Sequence, residues 1–143
     1  MRIQIPTVLV AFFAMVSADK LTCATEDNAA PWSAISDGMH WIGTAEHSNR
    51  GFDEHGKLTM DHPGSAVLPA NRCTRLYCNN GGAFWWCNEG ERERYMGIRN
   101  IREGAAVIAR DCPKYSKEKK TWAGGHLEHD DKWTVWVEFD HAC

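Results

Sequence analysis

The densest gathering of groups able to move a proton or hold a metal lies near the end of the chain. There His126, Glu128, His129, Asp130 and Asp131 are followed by Asp140 and His141. On an extended strand His126 and Glu128 point to the same side while His129 falls at a turn. A three-ligand zinc set therefore requires that turn to fold back on its strand. No His-Glu-x-x-His sequence is present to place two ligands one helical turn apart. The segment reads first as a solvated hairpin tip, with no metal and no cofactor assigned. The sharper alternative is a small secreted hydrolase, ribonuclease-like or polysaccharide-acting. In that reading His126, Glu128 and His141 exchange protons with the substrate and Arg102 stabilises charge on a phosphate. Residues 121–143 carry five acids against Lys132 alone, a poor surface for a phosphodiester backbone. The Gly-x-Ser-x-Gly elbow of many hydrolases is absent. No catalytic residue is assigned, and the balance leans away from an enzyme.

Recognition is the competing use of these side chains. The chain has seven tryptophans, and Trp85 and Trp86 are consecutive. On a strand one of the two enters the core and the other faces away. Trp86 and Trp136 are the candidate platforms for a sugar ring or hot spots for a protein partner, with burial of both as the structural reading. Residues 92–120 form a basic island of nine bases against four acids, in a chain of formal net charge -3. That overall acidity speaks against a nucleic-acid partner. Within the island Lys117, Lys119 and Lys120 are the candidate contact for an acidic partner or lipid head groups. The arginines at 92 and 94 interleave with Glu91 and Glu93, as ordinary surface pairs do.

The elements that must position these residues begin after residue 18. Arg2, an apolar stretch over residues 7–15 and the small residues Val16-Ser17-Ala18 predict a signal peptide over residues 1–18. The apolar run is too short for a permanent membrane span, so stable membrane insertion is not expected. Residues 19–143 are then one cysteine-rich secreted, extracellular domain. Six cysteines, Cys23, Cys73, Cys78, Cys87, Cys112 and Cys143, predict three disulfides. Residues 67–77 and 83–88 read as a hairpin about Asn79-Asn80-Gly81. With a three-residue loop, Cys78 faces Gly82 and Cys73 falls opposite Cys87, which predicts that bridge from spacing alone. Ile98, Ile101, Ala105, Ile108 and Cys112 make one stripe of a helix over residues 95–110, ended by Pro113. A second hairpin joins residues 121–128 to 132–139, with Gly124-Gly125 marking a close approach of backbones. Residues 23–69 read as mostly loop, interrupted by one strand over residues 38–42.

The run Ala83-Phe84-Trp85-Trp86-Cys87-Asn88, the helix from Ile98 to Cys112, Gly124-Gly125, Lys132-Trp133-Thr134-Val135 and the terminal Cys143 resemble the killer-toxin-like and effector-like small cysteine-rich secreted proteins of filamentous fungi. The resemblance covers the chain from about Arg72 onward. It implies an α+β fold, an α/β sandwich with an antiparallel sheet carrying one or two helices on one face. It further implies Cys78 paired with Cys143 and Cys23 with Cys112, alongside the Cys73 and Cys87 pair. Its functional implication is a non-enzymatic, toxin-like effector or virulence factor that binds a target on a host or competitor cell. The expected partner is a cell-surface or apoplastic protein, or a cell-wall polysaccharide.

Overall fold

The computed structural model describes residues 19–143, so the expected signal peptide lies outside the described residues. In chain order the elements are β1 (Lys20–Cys23), a short 3-10 turn (Glu26–Asn28), β2 (Ala30–Pro31), α1 (Trp32–His47), β3 (Gly51–Phe52), β4 (Leu58–Thr59), β5 (Ser65–Leu68) and β6 (Arg72–Asn79). They continue with β7 (Gly82–Asn88), β8 (Arg94–Gly97), α2 (Ile98–Asp111), β9 (Tyr115–Lys117), β10 (Lys120–Ala123), β11 (Gly125–His129) and β12 (Trp133–Phe139). The main sheet has five antiparallel strands in the order β1-β11-β12-β7-β6. Two small sheets, β2-β10-β9 and β4-β3-β5-β8, flank it.

Both helices lie on one face of the main sheet, α1 against β6 and β7 and α2 against β11 and β12, and they also pack on each other. The expected helix over residues 95–110 begins three residues later, because Tyr95 and Met96 belong to β8. Ile98, Ile101, Ala105 and Ile108 are fully buried beneath it. The expected strand over residues 38–42 is corrected: that segment is the middle of α1. Of its buried residues, Ala34, Ile35, Gly38, Ile42 and Ala45, the last four recur every three or four positions, which is a helical stripe. Gly38 hides the pattern, yet it is there for packing. A Cβ at Gly38 would lie 2.6 Å from the Phe84 ring, so only glycine lets the helix settle on β7.

The first hairpin reaches its predicted bridge by an unpredicted route. The expected strand over residues 67–77 is two strands of different sheets, β5 and β6, parted at Asn71 with φ 54°. The turn after β6 has two residues, Asn80 and Gly81, with φ of 53° and 80°, the left-handed pair that a tight hairpin requires. Cys78 consequently faces Ala83, not Gly82. Continued without interruption, this register sets Cys73 opposite Asn88. A bulge between Arg75 and Tyr77 absorbs the extra residue and restores Cys73 to Cys87. Leu76, the added residue, turns into the core, and its carbonyl accepts the indole N–H of Trp41 from α1 at 2.9 Å.

The six cysteines form three disulfides: Cys23–Cys112, Cys73–Cys87 and Cys78–Cys143. The first fastens edge strand β1 to the end of α2, and the last fastens the C-terminus to the first hairpin. Gly124 parts β10 from β11, and a Cβ there would sit 2.6 Å from the carbonyl oxygen of Val137. Asn88, almost wholly buried, reaches the carbonyls of Leu68, Pro69 and Arg92 and accepts the N–H of Gly90, which fixes the loop after β7. Among the described residues no helix is long and apolar enough to cross a membrane.

Candidate functional site

Strand alternation divides the main sheet between two duties. Phe84 and Trp86 of β7, and Val135 and Val137 of β12, are buried under the helices. Their neighbours Trp85, Trp136 and Glu138 point to the opposite face and are only half-buried. Register then lines up one row across all five strands. Thr22 pairs with His126, His126 with Trp136, Trp136 with Trp85, and Trp85 with Arg75.

Contacts within that row are short and specific. The His126 ring stacks on Trp136 with centroids 3.9 Å apart and planes 28° from parallel. The Arg75 guanidinium lies 5.4 Å from the Trp85 ring centroid, and its Nη1 donates to Asp140 Oδ2 at 3.0 Å. Asp140 is held below the ordinary aspartate range, chiefly because it accepts the backbone N–H of Ala142, with Arg75 helping and burial opposing. Glu138, two residues earlier on the same face, is pushed the other way. Burial raises its carboxyl first, and the like charge of Asp140 adds to the effect.

Two shallow depressions meet at this point. One, of about 400 Å³, is lined by Cys73, Trp85, Cys87, Trp136 and Glu138. The other, of about 320 Å³, runs from Thr22 and Asn28 past His126 to the same Trp136 and Glu138. In a larger depression of about 630 Å³ between the helices, Arg102 grips Glu46 at 2.8 Å and the His47 Nδ1 lies 2.6 Å from the Gly43 oxygen.

The predicted site residues fall in different places. Trp86 is fully buried in the core and presents no platform, which corrects the sequence expectation. The member of the pair left half-buried on the outer face is Trp85, and Trp136 lies beside it. Residue types and spacing do not single out Trp85, Arg75 or Glu138, although fixing Phe84 and Val135 inward is enough to turn Trp85 and Glu138 outward. Lys117, Lys119 and Lys120 belong to the β9–β10 hairpin, whose turn residues Glu118 and Lys119 both have positive φ. Lys117 is committed internally, donating to the Glu26 carbonyl at 2.8 Å and covering the Trp122 ring at 4.4 Å. Lys119 and Lys120 are exposed at the tip.

The acid–base set is spread across separate environments. His126 is stacked on Trp136, His141 packs edge-on against Phe139 at 4.6 Å, and Arg102 sits in the helix layer with Glu46. Glu128 pairs with Lys20 at 3.9 Å. His129 lies on the helix side, stacked on Trp133 at 3.7 Å and 3.0 Å from Asp19. Among the described residues no three histidine, cysteine or acidic side chains are grouped to hold a metal ion.

No protein-family model matches this chain, and neither a curated protein nor a solved structure is detectably similar to it.

Proposed function

We propose that this chain is a secreted, non-enzymatic effector or toxin-like protein that acts by binding a target on a host or competitor cell. Its contact face is the side of the main sheet turned away from the helices. One observation carries the reading: register brings Trp85 and Trp136 together on a half-buried face while the core closes entirely on the other side. Indoles left partly open at the centre of a rigid sheet supply large contact area at little entropic cost. Three disulfides in a small domain are compatible with extracellular duty and support export. Two helices on one face of the five-stranded antiparallel sheet are compatible with the α+β layering that the killer-toxin-like resemblance implies.

The test uses labelled, oxidised protein offered to intact plant and fungal cells and to their purified walls. The double variant Trp85→Leu with Trp136→Leu, checked for three intact disulfides by mass spectrometry, is expected to lose about tenfold or more in cell binding. Equal binding by that variant removes the sheet face from the mechanism. Turnover of RNA or wall polysaccharide by the pure protein, abolished in His126→Ala, replaces binding with hydrolysis.

A further inference from the structure

The open sheet face carries one carboxyl that the fold does not use. Glu138 borders both depressions beside Trp136, and its carboxyl makes no hydrogen bond or ion pair within the described residues. Leaving a carboxylate in apolar surroundings without a counter-ion is unfavourable, and Asp140 on the same face worsens it. Nothing in the packing requires the group.

The same face shows what such an arrangement accepts. Arg75 lies over the Trp85 indole and is ion-paired with Asp140, giving an indole, a cation and a carboxylate in one cluster. Trp136 and Glu138 repeat the indole and the carboxylate two residues apart on β12, but with no cation supplied. We infer that this position receives a cationic side chain of the partner, an arginine or lysine, seated against Trp136 and Trp85 with Glu138 as its counter-ion.

The inference rests on the sheet-face reading above and names the partner chemistry: a basic protein segment in preference to a neutral glycan. A sugar can stack on an indole, but its hydroxyls leave the Glu138 charge and the Asp140 repulsion in place. A guanidinium or ammonium answers both and gains the attraction of the ring faces. The titratable and charged groups around Glu138 are Asp140 just past the end of β12, His126 of β11 in the same depression, Arg75 of β6 paired with Asp140, and His141 beside Asp140. Acidification therefore weakens binding by protonating Glu138, whose carboxyl is already raised by burial and by Asp140. High salt weakens it as well.

The experiment follows the indole N–H signals of Trp85 and Trp136 by NMR in the intact oxidised protein. The probes are N-acetyl-arginine amide, its neutral citrulline counterpart and a chitin oligosaccharide. The arginine amide is expected to shift both signals with affinity on the order of millimolar, and citrulline to bind about tenfold more weakly. Glu138→Gln, a near-isosteric change, is expected to bring arginine down to the citrulline level and to flatten the acid side of the pH profile. The inference is overturned if citrulline matches arginine, if Glu138→Gln binds arginine as well as the parent, or if only the oligosaccharide shifts the indoles. In each of those cases the cell-binding loss of the Trp85 and Trp136 double variant still stands or falls separately, so the cation and the contact face fail independently.

Discussion

At the scale of single residues, Glu138 near the end of β12 and Asp140 just beyond it make opposite contributions to stability. The folded state raises the Glu138 pKa, so folded protein binds that proton more tightly than the unfolded chain does. Stability at this site falls as pH rises from the ordinary glutamate value through the raised one, and the charged group weighs against folding at neutral pH. Asp140 is lowered, so its contribution is present above the ordinary aspartate value and is lost as pH falls through the folded one. Glu138→Gln is therefore expected to raise Tm at neutral pH and to match the parent once pH drops below the ordinary glutamate range. Thermal melts across that interval check it. A lower Tm at neutral pH would mean that the charged carboxylate is anchored, and the free-carboxyl premise would be gone. A group that costs stability where binding surface is open fits selection for contact over folding.

Among the elements, the first hairpin shows both what residue spacing can tell and where it stops. Cysteine spacing and the Asn-Gly turn are local signals, so the Cys73–Cys87 bridge is legible in the sequence. The two-residue turn and the bulge at Leu76 are not, because each shifts the register by one and the two shifts cancel. The bulge is secured from outside the hairpin by the Trp41 indole of α1, the helix whose stripe Gly38 conceals. Trp85 stays illegible as a site residue for the same reason: its facing depends on Phe84 being inward, and Phe84 is inward because α1 lies on it. The α2 stripe and the Gly124 approach are legible because four apolar side chains at helical spacing, or a glycine pair before a strand, act through near neighbours. Trp41→Phe keeps an aromatic ring and removes the donor to the Leu76 carbonyl. It is expected to cost about 1 kcal/mol in chemical denaturation while the disulfide map stays unchanged. No loss of stability would show that the bulge is held by the Leu76 side chain alone.

For the molecule as a whole, the three bridges contribute unequally because they close unequal lengths of chain. Cys23 and Cys112 are 89 residues apart, Cys78 and Cys143 are 65 apart, and Cys73 and Cys87 only 14. On the loop-entropy model the longest closure stabilises by roughly 4.5 kcal/mol and the shortest by about 3 kcal/mol. Position reinforces the ranking. Cys23–Cys112 joins the sheet edge to the helix layer, whereas Cys73–Cys87 links strands already paired in one ladder. The paired substitution Cys23→Ala with Cys112→Ala is thus expected to lower stability by about 1.5 kcal/mol more than Cys73→Ala with Cys87→Ala. Urea unfolding of both variants, with the remaining bridges verified by mass spectrometry, checks the order. The short bridge carries a different consequence, since Cys73 and Cys87 line the depression beside Trp85 and Trp136. Its removal is expected to weaken arginine binding more than its smaller stability cost explains, while loss of the long bridge weakens folding and leaves the affinity of the surviving folded fraction unchanged. A reversed pattern, with the long bridge governing affinity, would place the contact surface near β1 and the end of α2 and away from the centre of the sheet.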